Sequence, residues 1–222
     1  MRVLAIDTAL AACSAAVFDA ARGEVLASQA LEMVRGHAEA LLPLVARVMQ
    51  EAGIGFVDLQ RVAVTTGPGS FTGMRVGISA ARAIAVATGL PAVGVTTLEA
   101  YAAPHFGGGA VAVAIDARHA HVYLQVFAAD GTTVLPACIA SLTEAAAAAR
   151  GASRVIGSGA PLLAAAWPAA EPAPLFDPRA APDIATVARL GAAAVNLSEP
   201  PKPLYLRDAD ARPQTAARIA RQ

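Results

Sequence analysis

The 222-residue sequence has only two cysteines, Cys13 and Cys138, and they are not in metal-type spacing. Two are too few for a disulfide framework or a cysteine-built metal site, and they suit a reducing compartment. A cytoplasmic protein is expected. Neither sign of charge is in surplus, since 17 Lys and Arg balance 17 Asp and Glu. No global basic field draws in nucleic acid, so tRNA contact would be local or indirect, through a partner. No apolar run approaches the roughly 20 unbroken residues of a membrane span. Leu10-Ala11-Ala12-Cys13 has the form of a lipoprotein cleavage site, but the run before it, Val3 to Ile6, ends at Asp7. A signal core needs about 7 to 15 apolar residues. No membrane association is expected.

Three further absences fall in one stretch, Thr65 to Ser79. No lysine follows its second glycine, which excludes a Walker phosphate loop. Thr72 stands where a dinucleotide fingerprint needs glycine, and the acid about 20 residues further on is missing. Pro68 and Thr72, rather than glycines, flank Ser70 two residues out, which excludes a hydrolase elbow. What remains is a short strand, a tight turn and a helix running to about Thr88. Gly67 and Gly69 permit unusual backbone angles, Pro68 stiffens the turn, and Ser70 or Thr72 can cap the helix. Gly67, Gly69, Ser70 and Thr72 therefore read either as an anion loop at a helix N-terminus or as a structural turn.

The chain is 56% hydrophobic and 15% charged. A sizeable core is available, although alanine supplies much of that count and buries little area per residue. Val3 to Ile6 reads as a buried strand ending in Asp7; Ser14 to Phe18 and Glu24 to Leu31 read as the next two. A helix follows from about His37 to Ala52, with an apolar stripe of Leu41, Leu42, Val45, Val48 and Met49. His37 reads as a helix-start residue. After the glycine turn and its helix, Pro91 to Val95 is a strand, and Thr96-Thr97-Leu98-Glu99 is a capping box. Pro104 to Gly109 is the best boundary, giving lobes of residues 1–106 and 107–222.

Beyond it the pattern restarts. Val111 to Ile115 ends in Asp116, Val122 to Phe127 alternates, Ser141 to Glu144 is a second capping box, and Arg154 to Gly157 is a strand. A helix through Trp167, a Pro-rich loop from Pro168 to Pro182 and a helix from Asp183 to about Val195 follow. Ala5-Ile6-Asp7 and Val17-Phe18 recur as Ala114-Ile115-Asp116 and Val126-Phe127, each 109 residues later. With matching element order, this favours duplication. The expected fold is α/β: two ribonuclease-H-like units in the two-lobed actin/Hsp70/sugar-kinase architecture, the tail packing back on the first lobe.

Met1 to Ala9, His37-Ala-Glu-Ala-Leu-Leu-Pro-Leu, Thr66 to Gly77, Gly94 to Ala100, Asp116-Ala-Arg and Pro203-Leu-Tyr-Leu-Arg together resemble one family. It is TsaB, of bacterial tRNA threonylcarbamoyladenosine biosynthesis, once grouped with the M22 glycoproteases. The matches run in order over residues 1 to 207, and the Gly67 to Gly77 block is the most specific. The resemblance implies an accessory, non-catalytic subunit. It would pair with the related catalytic protein TsaD, with a TsaE-type ATPase as a further partner, and meet tRNA only through the complex. Alone, the chain would pair with a second copy of itself. The catalytic relative carries two metal-binding histidines four residues apart in a segment resembling Gly94 to Tyr101. Here those positions hold Thr97 and Tyr101, which make no equivalent grip on a metal.

The rival reading is an enzyme, either an actin-like ATPase or kinase or a metal-dependent peptidase. Asp7 and Asp116 sit where actin-like enzymes place carboxylates, but Ala9 and Arg118 stand where those enzymes usually have glycine. Gly157-Ser158-Gly159 is a faint echo of a nucleotide loop. His119 and His121 alternate on an expected strand, without a third ligand nearby. Arg207, Arg212, Arg218 and Arg221 make a basic tail beside Asp208 and Asp210. We expect no catalytic residue, no metal and no cofactor on the isolated chain, with ATP or ADP shared at most at the partner interface. The small residues Gly73, Gly77 and Ala81 recur every four positions beside Met74 and Ile78. With Leu41, Val45 and Val48 they form the expected partner seam, the alternative being that both stripes cover the chain's own sheet.

Overall fold

The computed structural model describes residues 1–195 and 199–207. Two five-stranded mixed sheets stand side by side. The first holds β1 (Arg2–Asp7), β2 (Ala12–Asp19), β3 (Glu24–Glu32), β4 (Arg61–Thr65) and β5 (Ala92–Val95), in the order β3-β2-β1-β4-β5. The second holds β6 (Val111–Arg118), β7 (His121–Phe127), β8 (Thr133–Ser141), β9 (Arg154–Ile156) and β10 (Leu175–Asp177), in the order β10-β9-β6-β7-β8. Read from the other edge, this is the same order. In both, the first three strands form an antiparallel meander and the last two join in parallel. The duplicated ribonuclease-H-like architecture expected from the repeat is present.

The two copies differ at their first turn. Asp7 pairs with Ser14, leaving a wide loop between β1 and β2. Arg118 pairs with His121, so β6 and β7 are joined through His119 and Ala120 alone, with a bulge between Asp116 and Arg118. Arg118, His119 and Ala120 all have positive φ, at 67°, 52° and 58°. A two-residue hairpin requires such angles, and side chains other than Asn, Asp and Gly adopt them at a cost. His119 is therefore in the turn, not on a strand beside His121.

Period-2 alternation explains how the first sheet is clothed. Leu4, Ile6, Val62 and Val64 face α1 (His37–Glu51) and α2 (Phe71–Thr88). Val3, Ala5, Ala63 and Val93 face the other way, against Ile184, Val187 and Ala188 of α6 (Ile184–Ala193). On the second sheet, Ala112, Ala114, Leu124 and Val155 face α4 (Leu142–Ala148) and α5 (Ala160–Ala166). Val111, Val113 and Ile115 pack on Leu98 and Tyr101 of α3 (Thr97–Ala102).

Each half of the chain thus lends a helix to the other half's sheet. α3 precedes residue 106 and covers the second sheet; α6 follows residue 107 and covers the first. A division at 106/107 separates the sheets but not the helices that clothe them, because a strand buried on both faces needs cover on both. Burying Ile184 and Val187 contributes roughly 1.5–3 kcal/mol each. Arg61 fixes α6 further: its buried Nη1 donates to the carbonyls of Gly191, Ala192 and Ala194, at 2.6, 2.9 and 2.9 Å. These are the carbonyls that the end of a helix leaves without partners.

Both capping boxes are formed, Thr96 with Glu99 and Ser141 with Glu144. Two strands depart from the sequence reading. β8 carries Pro136 and lies at a sheet edge, where a missing N–H is tolerated. β10, three residues long, lies inside the stretch read as a Pro-rich loop; its partner β9, rather than its own composition, makes it a strand. Arg212, Arg218, Arg221, Asp208 and Asp210 lie outside the described residues. Among the described residues, no helix is long and apolar enough to cross a membrane.

Candidate functional site

β1 ends at Asp7 and β6 at Asp116, and the two carboxylates repeat one local device. Asp7 Oδ1 accepts the Ala9 N–H at 2.9 Å; Asp116 Oδ1 accepts the Arg118 N–H at 2.8 Å. Their surroundings differ. Asp7 is fully buried, its Oδ1 also accepts the Thr65 hydroxyl, and its Oδ2 has no partner. Burial pushes its carboxyl above the usual range, against the opposing pull of the Thr65 and Ala9 hydrogen bonds and of His37. Asp116 is partly open. Its N–H donates to Ser158 Oγ at 3.1 Å, and its Oδ2 lies 3.6 Å from Arg118 Nη1.

Asp116, Arg118 and Ser158 face His37, Gly69 and Ser70 across a cleft of about 490 Å³ between the lobes. His37 opens α1 and is buried, its Nε2 donating to the Leu10 carbonyl at 3.0 Å. Ser70 caps α2 by accepting the Gly73 N–H at 3.2 Å, and its own N–H goes to the Ala9 carbonyl at 2.7 Å. Of the four loop residues singled out above, Gly69 and Ser70 line this cleft. Thr72 lies exposed on the first turn of α2. Gly67 is buried at φ 106°, its carbonyl accepting the Thr97 N–H, and a Cβ there would strike Met74 Sδ and approach the Leu204 carbonyl.

The small-residue seam faces inward. Gly73, Met74, Gly77, Ile78 and Ala81 of α2 are all buried, as are Leu41, Val45 and Val48 of α1. A Cβ on Gly73 would strike the Thr8 carbonyl, and one on Gly77 would lie 2.5 Å from Thr8 Oγ1. Thr8 Oγ1 in turn donates to the Gly73 carbonyl at 2.7 Å. The four-residue spacing therefore lets the end of β1 lie against α2, and these eight residues have no surface left for a partner. The alternative weighed above, that both stripes cover the chain's own sheet, is the one observed.

The outer faces of these helices are a different surface. Leu42 is 60% exposed and Val86 85% exposed, with Ala46, Ser79 and Ala83 also open. The chain's last described segment lies along α2 from its start to Arg82. Arg82 donates twice to the Pro201 carbonyl, Leu204 N–H donates to the Thr66 carbonyl, and Arg75 Nε donates to the Tyr205 hydroxyl. The Arg75 guanidinium also stacks 3.7 Å from the Phe71 ring centroid. Periodicity could not separate the inner from the outer face, because α2 is apolar on both.

Thr97 and Tyr101 are both buried. Tyr101 hydroxyl donates to the Arg179 carbonyl at 2.9 Å, which joins α3 to the loop after β10. Among the described residues, no group of three or more His, Cys, Asp or Glu side chains is placed to hold a metal ion.

Two lobes of the same topology, with a cleft between them and acid-tipped central strands, define the actin-like class. Residues 23–160 match the family model described as TsaD, tRNA N6-adenosine threonylcarbamoyltransferase. An uncharacterised protein of Mycobacterium tuberculosis (strain ATCC 25618 / H37Rv) is 37% identical over 216 residues, covering 95% of this chain and 94% of that one. The tRNA threonylcarbamoyladenosine biosynthesis protein TsaB of Escherichia coli (strain K12) is 40% identical over 133 residues, which are 59% of this chain and 56% of that protein. A crystal structure from Pseudomonas aeruginosa, described as similar to the peptidase YEAZ, superimposes with a TM-score of 0.80. It is 28% identical and covers 93% of this chain and 99% of that one. A second, described as YeaZ from the same organism, gives 0.75 at 27% identity. The chain belongs to the TsaD-like family, on its TsaB branch.

Proposed function

We propose that the chain is a non-catalytic subunit of the machinery that forms threonylcarbamoyladenosine in tRNA. It pairs with a TsaD-type catalytic relative and meets tRNA only through that complex. The observation that carries this reading is the state of the two positions that resemble the relative's metal ligands. Thr97 is buried, and Tyr101 is buried and hydrogen-bonded to a backbone carbonyl, so the site's geometry serves packing between lobes. The carboxylates agree with it. Asp7 is sealed from solvent, and Asp116 is turned onto the Arg118 backbone and side chain.

Pairing uses the outer faces of α1 and α2. Leu42, Ala46, Ser79, Ala83 and Val86 present small and apolar groups there, and exposed apolar surface of this kind marks an interaction site. The same face closes on a second copy of the chain when the relative is absent. A TsaE-type ATPase joins the assembled pair, and any ATP or ADP is shared at the interface between subunits. The test is co-purification of the chain with a TsaD-type protein, comparing wild type with Val86→Glu and Leu42→Glu. Both variants should lose the partner while keeping their folded spectra. Retention of the partner by both would place the interface elsewhere.

A further inference from the structure

A second cavity, this one mainly polar and of about 330 Å³, lies on the side of the molecule where the chain passes from the first sheet to the second. Pro104, His105, Phe106 and Gly108 of the linker form one wall; Ser153 and Arg154, at the start of β9, form the other. Arg154 is only 27% exposed, and among the described residues its guanidinium makes one hydrogen bond, from Nη1 to Asp177 Oδ2 at 3.1 Å. Asp177 is shared: Arg179 Nε reaches both of its carboxylate oxygens at 3.2 Å. Two guanidinium groups, each with five N–H donors, thus converge on one carboxylate. The cluster keeps one net positive charge and several donors that Asp177 cannot accept.

We infer that this cavity is a binding site for a small tetrahedral oxyanion of the phosphate or sulfate class, held by the spare donors of Arg154, with Arg179 adding positive charge through the shared Asp177 and His105 as a proton-dependent second donor. The guanidinium fork matches such an anion in shape as well as charge. Asp177 is the carboxylate an incoming anion would share these donors with, and it leaves Arg154 Nε and Nη2 without a hydrogen bond among the described residues. Asp130, on the β7–β8 turn beside the linker, has its Oδ1 occupied by the Thr132 N–H and hydroxyl. Ser153 Oγ spends its proton on the Ala110 carbonyl at 3.0 Å, so the donors for an anion come from Arg154 and His105.

His105 supplies the sign of the pH dependence. Burial, then Arg154, then Arg179 hold its imidazole below the ordinary value, with Asp177 opposing them. An anion held by Arg154 beside His105 offsets that repulsion, so the bound state favours protonated His105. Binding therefore tightens as pH falls, and the anion ties the linker to β9. Because Tyr101 holds the Arg179 backbone from α3, the site also reaches the contact that joins the two halves.

The test is the NMR titration of the four histidine rings of the full chain in sulfate and in chloride at matched ionic strength. Sulfate keeps its charge over this pH range, so any linkage belongs to the protein. His105 should titrate about one pH unit higher in saturating sulfate, the shift that a tenfold preference for the protonated form produces. His37, His119 and His121 should not move. Arg154→Lys, which keeps the charge and the fold but loses the fork, should cut sulfate affinity about tenfold, as loss of a bidentate contact does. Equal His105 midpoints in the two salts, or a shift common to all four rings, would overturn the assignment.

Discussion

The Tyr101 hydroxyl donates to the Arg179 carbonyl at 2.9 Å, from a helix of the first half to a loop of the second. Tyr101 occupies a position that resembles a metal ligand of the catalytic relative, and here it fastens one half of the chain to the other. Tyr101→Phe should therefore cost about 1 kcal/mol of stability, the usual worth of one such hydrogen bond. Urea unfolding checks it. The same variant should pair with the partner as the wild type does.

Asp7 gives a pH signature. Its carboxyl is raised by burial, so the folded chain holds that proton more tightly than the unfolded chain. Stability from this group is then greatest in acid and falls as pH rises from the ordinary carboxylate range through the folded-state value. Asp7→Asn keeps an oxygen for the Thr65 hydroxyl and the Ala9 N–H and removes the charge. The stability of the variant relative to wild type should grow between pH 4 and 8 in denaturant titrations. A constant difference across that range would show that Asp7 is ionised in the fold.

Gly73 tests the inward seam. An alanine there meets the Thr8 backbone carbonyl, which cannot swing away as a flexible side chain could. Gly73→Ala should cost about 1–3 kcal/mol by overpacking. Calorimetry of the monomer should show it. Ala83→Ser, on the outer face of the same helix, should leave the melting temperature within a degree or two.

Arg61 tests how α6 is held. Removing it as Arg61→Met leaves three carbonyls at the end of α6 without their donor. The expected loss is about 1.5–3 kcal/mol, the range for hydrogen bonds to a charged group. Limited proteolysis should then cut near residues 184–195 before the sheets open.

Most of the fold was legible because its signals are local. The short apolar runs ending in Asp7 and Asp116 and the two capping boxes are each read within a few residues, and the repeat only compares two such runs 109 residues apart. What was not legible depends on distant partners. β10 is a strand only because β9 lies beside it, and the exchange of α3 and α6 between sheets leaves no mark on either helix. The site was half legible. Gly69 and Ser70, singled out for their turn chemistry, line the cleft, but which face of α2 is buried is decided by Thr8, 65 residues from Gly73. The Arg154–Asp177–Arg179 cluster was missed because its members are ordinary charged residues until β9 and β10 pair.

If the proposed docking role is right, threonylcarbamoyladenosine formation in a reconstituted mixture will depend on the outer face of α2 and not on Asp116. The mixture would hold a TsaD-type protein, its ATPase, substrate and tRNA. Asp116→Ala should sustain formation at close to the wild-type rate, whereas Val86→Glu should abolish it. A Val86→Glu protein that supports full activity, or an Asp116→Ala protein that binds its partner but supports none, would contradict the account.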